Sequence, residues 1–385
     1  MNRAIVLINI VGLIIGISYG LHNPIVPIFA KNEIGASYAE LGLIGLANFV
    51  PYMFIPVFVG ILLGRFNNGH LLSLGILINA SSIFLLSVSK SVPEMMVLRA
   101  MTGVAHAFFW PPAESIISNS SDAGSRVKNI GRFTGFFVSG FMIGPLIGTF
   151  LLDGLDITFR MLFEIATFVM AAAIIFSIPL SRQASPKQDS KFSFSAVKEI
   201  ARFPQIIVIL IFCTSAFGTI LTIYPAFLND RSMSATEIEI LFFVFGVSRV
   251  ITLAATGRLA RHTGSTLIAS TLSIAAGLFV SFYSQSIFEF AAAMLLMGFG
   301  FSIVFPLTLE IVLRRTQKEV TGKMIGAYET TFGMGWTSGP IVAGLISEFS
   351  GNAMPYMVFF VIGVGVAILS AIKRKSLEPP PSKIS

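Results

Sequence analysis

The stretch Gly131-Arg132-Phe133-Thr134-Gly135-Phe136-Phe137-Val138-Ser139-Gly140-Phe141-Met142-Ile143-Gly144-Pro145-Leu146-Ile147-Gly148 decides the fold. Glycines 140, 144 and 148 fall four apart, so on a helix they form a smooth ridge that lets a second backbone approach closely. Pro145 bends the helix inside that ridge, and the whole reads as a packing face that must move. The pattern returns at Gly326, Gly335, Gly339-Pro340 and Gly344. Gly131 to Gly326, Gly140 to Gly335, Gly144 to Gly339 and Pro145 to Pro340 all differ by 195 (326 − 131 = 195), about half of the 385 residues. Two halves repeat in parallel.

Composition fixes the class. Charged residues make up 12% of the chain and hydrophobic ones 54%, with 37 Phe and a mean hydropathy of +0.83; an average soluble domain carries about 25% charge. This is an integral membrane protein. The one cysteine, Cys213, rules out an internal disulfide and most cysteine-based metal sites.

Apolar segments long enough to cross a ~30 Å hydrocarbon layer fall near 4–29, 38–63, 71–89, 94–118, 127–152, 158–180, 204–228, 236–258, 265–284, 287–313, 322–348 and 354–373. The expected architecture is all-α and polytopic, with twelve transmembrane helices in two six-helix bundles. The bundles cover 1–180 and 204–373, joined by a cytoplasmic linker at 181–203 and followed by a disordered tail at 374–385. Within the linker, Phe192 to Phe203 has the pattern of a short amphipathic surface helix. An even number of spans puts both termini on one side. That side holds 20 of the 26 lysines and arginines, whereas the other holds Lys31, Lys90, Arg160 and Arg231. The asymmetry places both termini in the cytoplasm and assigns the net charge of +7 to topology rather than to nucleic acid.

Span 1 carries Gly20 and Pro27, echoed by Gly218 and Pro225 in span 7 at an offset of 198. No small-residue cleavage site follows span 1, which is read as a retained first span. The turn after span 2 reads Gly60-Ile61-Leu62-Leu63-Gly64-Arg65-Phe66-Asn67-Asn68-Gly69, and the turn after span 8 reads Gly257-Arg258-Leu259-Ala260-Arg261-His262-Thr263-Gly264. With Arg99-x-x-x-Gly103 in span 4, the Gly/Pro array of span 5 and the parallel repeat, these turns make the chain resemble the major facilitator superfamily. The array is similar to that of its twelve-helix drug:proton antiporters. Two departures stand out. Gly64 occupies the place of the family's usual acidic residue and Asn67 that of a later glycine, and span 1 matches the antiporters' P-x-x-P ending only through Pro24 and Pro27.

Charges inside the bilayer mark the candidate site, because each costs about 3 kcal/mol or more at the centre unless it faces protein or water. Counting ~100° per residue, Arg99, Gly103, His106, Trp110 and Glu114 form one stripe on span 4. Arg249 lies mid-span on span 8, and Glu329, Gly333, Trp336 and Pro340 share a face of span 11. Spans 4, 8 and 11 resemble the family's cavity-lining set, and the uncharged spans 3, 9 and 12 its outer set. The substrate and proton cavity is therefore expected to comprise His22, Asn23, Arg99, His106, Trp110, Arg249, Glu329 and Trp336. Glu329 and the histidines can carry a proton, and the tryptophans can stack on substrate; for each, structural pairing or plain packing remains the other reading. Helix packing falls to Gly140, Gly144, Pro145, Gly148, Gly335, Gly339 and Pro340.

Near the cytoplasmic mouth, Glu114 faces Arg65 or Arg132, and Glu310 faces Arg258 or Arg261, as pairs that would hold an inner gate shut. The chain has no HExxH, GxxxxGK[ST] or GxSxG and no ligand-spaced His/Asp/Glu set, so neither an enzyme, a metal site nor a cofactor is indicated. The expectation is a monomeric secondary carrier of the plasma membrane, whose partners are a small-molecule substrate, protons and the lipid bilayer. It works by alternating access and exports small amphipathic compounds against protons. A carrier for a small organic anion or other polar metabolite is the alternative, and a transport-dead sensor or scaffold on the same fold is a third.

Overall fold

The computed structural model describes residues 2–63, 65–121, 126–182, 200–315 and 321–378; within these, the side chains of 57, 60, 61, 126–128, 182, 313, 321–327 and 329 are left undescribed. The linker expected at 181–203 and its surface helix fall mostly outside the described residues, as does the tail beyond residue 378.

Among the described residues there are twelve helical traverses, several of them broken. Span 1 runs Arg3–His22 and, after Asn23-Pro24, Ile25–Asn32. Spans 2 and 3 are Tyr38–Leu63 and Asn68–Val88. Span 4 is Val92–Ala107 then Trp110–Asn119, span 5 is Arg126–Thr149 with a π-turn at Phe150–Gly154, and span 6 is Phe159–Ser177. Span 7 is Pro204–Thr222 then Tyr224–Asp230, and span 8 is Ala235–Ala254. Spans 9 to 12 are Thr263–Tyr283, Ile287–Arg314, Thr321–Ser350 and Met354–Ile372. Among the described residues nine helices meet a simple length and hydropathy test for crossing a membrane; the traverses outside that set are spans 4, 8 and 11, which carry the intramembrane charges.

Local sequence explains where the spans begin. Ser37-x-x-Glu40, Ser91-x-x-Glu94, Ser234-x-x-Glu237 and Ser286-x-x-Glu289 open spans 2, 4, 8 and 10. In each, the serine hydroxyl accepts the glutamate's N–H, and the carboxylate accepts an N–H at or beside the serine. Reciprocal bonds of this kind satisfy helix N–H groups that otherwise lack partners. The four starts are related in pairs by the repeat: 37 to 234 and 91 to 286.

Gly140, Gly144, Gly335 and Gly339 of the ridges work inside their own bundles. A Cβ on Gly140 would lie 2.2 Å from the Leu13 carbonyl oxygen and one on Gly144 2.5 Å from that of Ile17, so span 5 lies backbone to backbone on span 1. In the second half, a Cβ on Gly339 would lie 2.1 Å from the Ser215 oxygen and one on Gly335 1.8 Å from Thr214 Oγ1, fixing span 11 on span 7. Pro145 and Pro340 flank these contacts, beside Gly20 and Gly218 respectively.

The halves meet along spans 2 and 11 and along spans 5 and 8. Gly42 and Gly45 lie against Pro340, Gly344 against Tyr38, Gly246 against Met142, and Gly148 against Glu239. One expectation is corrected at the end of the chain. The tail assigned to disorder at 374–385 begins with an ordered turn, Arg374–Leu377, with Leu377 fully buried. Glu378 is bonded through its carbonyl to Arg315 Nη2 at 2.7 Å and through its carboxylate to Arg374 at 3.7 Å.

Candidate functional site

Span 1 breaks at Asn23-Pro24 and span 4 at Phe108-Phe109, and the breaks collect polar groups in the first half. Arg99 is 6% exposed and donates from Nη1 to Asn23 Oδ1 at 3.2 Å. Tyr19 stacks on His106 with ring centroids 4.6 Å apart, its hydroxyl 3.2 Å from His106 Nδ1, and accepts from Asn79 Nδ2 at 2.6 Å. His22 is fully buried. Its Nδ1 lies 2.5 Å from the Ser18 carbonyl, which can only accept, so Nδ1 carries the hydrogen and Nε2 is left as a buried acceptor with no bond.

The second half meets this cluster with aromatic rings. Phe217 and Phe301 stack 3.6 Å apart and within 6° of parallel. The Arg249 guanidinium lies 5.3 Å from the ring centre of Phe217, 5.4 Å from Phe301 and 5.5 Å from Phe245. It has no carboxylate partner among the described residues, and its Nε makes no hydrogen bond. Trp336 packs on Phe217 and on Phe49 and Tyr52 of the first half, and its Nε1–H is also unbonded. Tyr52 links the two sets, 5.8 Å from His106 and 5.6 Å from Trp336. A pocket on the boundary between the halves is lined by Asn23, Gly45, Arg99, Leu221 and Thr222 among others.

The structure thus brings together His22, Asn23, Arg99 and His106 on one side, with Arg249 and Trp336 on the other. One expected member leaves the group. Pro111 and Pro112 open a new helix at Trp110; proline has no N–H to continue the preceding ladder, so the ~100° count along span 4 fails after Ala107. Trp110 packs instead on Phe109, Phe133 and Phe137, and Glu114 is exposed. Glu329 lies in Thr321–Ser350, but its side chain is outside the described ones.

The expected gate pairs are replaced by other contacts. Glu310 bonds Arg314 one turn along its own helix at 2.5 Å, rather than Arg258 or Arg261, which are exposed. No ion pair with Arg65 or Arg132 reaches Glu114 among the described residues. Among the described residues, bonds between the halves are found at the face opposite the termini. There Asp230 accepts from Lys31 and, at 2.8 Å, from the Tyr38 hydroxyl, while Asn352 holds it at 2.7 Å within its own half. Asn32 bonds Asn229 at 2.8 Å, and the Ala39 N–H bonds Glu348 at 3.3 Å. Partial burial pushes the Asp230 carboxyl up, but the bonds from Lys31, Tyr38 and Asn352 outweigh it and hold the group below the ordinary carboxylate value.

Sequence reasoning missed this clasp, although its signal was present: Lys31 and Asp230 end spans 1 and 7 at nearly the repeat offset. It also missed Asn79, which is a lone amide in an apolar span, and Glu239. Glu239 is fully buried in span 8 with both carboxyl oxygens unbonded. Standing two residues after the capping Glu237, it reads in sequence as another acid at a helix start.

Comparison with known proteins agrees with the fold. The profile of the Major Facilitator Superfamily matches residues 8–277 and 206–385. The quinolone resistance protein NorA of Staphylococcus aureus is 24% identical over 97% of this chain and 97% of its own. The multidrug resistance protein 1 of Bacillus subtilis is 24% identical over 97% of this chain and 96% of its own. Among solved structures, a mutant form of the nucleoside transporter NupG superposes with a TM-score of 0.80 at 15% identity, covering 96% of this chain and 99% of that one. A bacterial homologue of the lysosomal transporter Spinster, in an inward-facing and unoccupied conformation, gives 0.74 at 14%, with 97% of each chain covered. These two likenesses concern the fold. Matched over nearly its whole length, this multi-pass membrane chain belongs to the Major Facilitator Superfamily of transporters.

Proposed function

We propose that the protein is a proton-coupled exporter of small amphipathic compounds in the plasma membrane, with both termini in the cytoplasm, working by alternating access. The observation that carries this reading is the two-sided site. An aromatic wall of Phe217, Phe301 and Trp336 in the second half, extended by Phe49 and Tyr52 of the first, meets the polar set of Tyr19, His22, Asn23, Arg99 and His106 at the boundary between the halves. Such a site takes a ligand with an apolar ring system and one polar end. The likeness to a quinolone and a multidrug resistance protein favours the same substrate class. The excess of cations on the terminal side supports the orientation, which makes the Lys31–Asp230 clasp an outer gate that must break for export.

A second reading has its own observation. Arg249, ringed by phenylalanines and with no carboxylate partner among the described residues, is suited to grip a carboxylate or phosphate, so the site would take a small organic anion. Proton movement in liposomes, read by a pH dye inside, separates the two. If cationic or neutral amphipaths dissipate an imposed pH gradient and Glu329→Gln abolishes the effect, the exporter reading stands and Glu329 moves the proton. If anions alone give a signal, lost in Arg249→Ala, the anion carrier replaces it.

A further inference from the structure

Glu239 lies where the two halves touch. A Cβ on Gly148, the last glycine of the span 5 ridge, would come within 3.1 Å of the Glu239 Oε1 and Cδ, so the missing side chain there makes room for the carboxyl group. Neither Oε1 nor Oε2 has a hydrogen bond, and the residue is 0% exposed. The hydroxyl of Thr149, next to Gly148, is likewise unbonded.

No neighbouring charge among the described residues accounts for this burial. On span 8 itself, Glu237 is committed to the helix cap, and Arg249 is ten residues on, about 15 Å along the axis at ~1.5 Å per residue. From span 5 and its π-turn come Arg132, at the terminal end, and Asp153, an exposed acid. Span 10 brings Glu289, which caps its own helix, and at its far end Glu310 with Arg314. The short helix before span 8 brings Asp230, held in the clasp, and Tyr224, whose hydroxyl lies 2.6 Å from that of Ser281. Arg258 lies beyond the terminal end of span 8. Nothing among these described groups neutralises a carboxylate at 239.

Burying an ionised carboxylate without a partner is strongly unfavourable, whereas the neutral acid is far easier to bury. We infer that Glu239 is an outer proton-binding site: spans 5 and 8 close over it only when the carboxylate has taken one proton from the outer water. When those spans part, the carboxyl group meets water and can give the proton up. Closed protein then holds one more proton than open protein, so acid closes the outer face and alkali opens it. This deepens the proton-coupled reading and rests on it for the gradient that drives closure. Net proton movement also requires release to the cytoplasm, a separate step.

The test uses full-length protein in lipid nanodiscs, spin-labelled at Lys90→Cys and Gln285→Cys, exposed repeat-related positions on the outer face; buried Cys213 stays in place. Distance distributions are recorded from about pH 5 to about pH 9. For one proton the closed-to-open ratio changes by at most about tenfold per pH unit, and the wild type is expected to lose closed population as pH rises. Glu239→Gln should remain closed throughout, and Glu239→Asp should restore the titration. A Glu239→Gln protein that titrates like the wild type, or a wild type with no titration, overturns the proposal. If the titration depends on Glu239 but the liposome assay finds no substrate-linked proton movement, the exporter reading fails and the proton site stands.

Discussion

The two bundles share a frame and differ in what fills it. Tyr19 stacks on His106 in the first half, and Phe217 stacks on Phe301 in the second. These pairs correspond under the repeat, at offsets of 198 and 195. The same places between broken helices therefore hold a hydrogen-bonded polar pair on one side and a bare aromatic pair on the other. The frame is duplicated backbone packing, and at these two places the asymmetry comes from four side chains.

If that division is right, damage to the aromatic pair costs the most. Phe217→Ala removes the stack with Phe301, the contact with Trp336 and one face of the Arg249 cage. It is expected to destabilise by about 3–5 kcal/mol, the range for deleting a buried phenylalanine, read as a lowered thermal midpoint of purified protein in detergent. An unchanged midpoint would mean that the pair is not structural.

The frame should respond equally in both halves. Gly144→Ala and Gly339→Ala each drive a methyl into a carbonyl oxygen of the adjacent span. Each should cost about 1–3 kcal/mol, as overpacking does. Gly135, with open space around its Cβ position, is the control: Gly135→Ala should be neutral or gain up to about 1 kcal/mol from helix propensity. A large difference between the two ridge variants would break the duplication. Tyr19→Phe makes the first half resemble the second and leaves Asn79 without its acceptor. A loss of about 1–2 kcal/mol is expected, with reduced transport of amphipaths and little change in the amount of folded protein.

The smallest effect belongs to the clasp, whose Lys31 and Asp230 side chains are 23% and 27% exposed. Asp230→Asn should shift the outer face toward open by a few-fold, since partly hydrated pairs contribute about 1 kcal/mol or less. Its pH sign differs from that of Glu239. The Asp230 carboxyl is held below its ordinary value, so its contribution is present above that ordinary value and is lost as the pH falls through the lowered one. Acid therefore loosens the clasp only well below neutrality, whereas it tightens the closure over Glu239.

The frame was legible because backbone packing writes glycines at fixed intervals: the ridge at 140, 144 and 148 and its copy at 335 and 339 predicted both the repeat and the helix contacts. Arg99, His22, Asn23 and Arg249 stood out because charges and breaks inside apolar spans are costly, and Trp336 through the face it shares with Glu329. The rest depended on three-dimensional neighbours. Trp110 was misplaced because a helix break resets the angular count, and Glu239 passed unnoticed because burial between halves leaves no periodic mark. The Glu310 pairing followed the nearest residue on its own helix, which a search for cross-loop partners overlooks.

The most direct measurement is uptake of a fluorescent cationic amphipath into inside-out membrane vesicles with an acidified lumen. Export driven by proton entry predicts accumulation that collapses when the pH gradient is dissipated and is lost in Glu329→Gln. Accumulation that survives dissipation, or uptake confined to organic anions and abolished by Arg249→Ala, would contradict it.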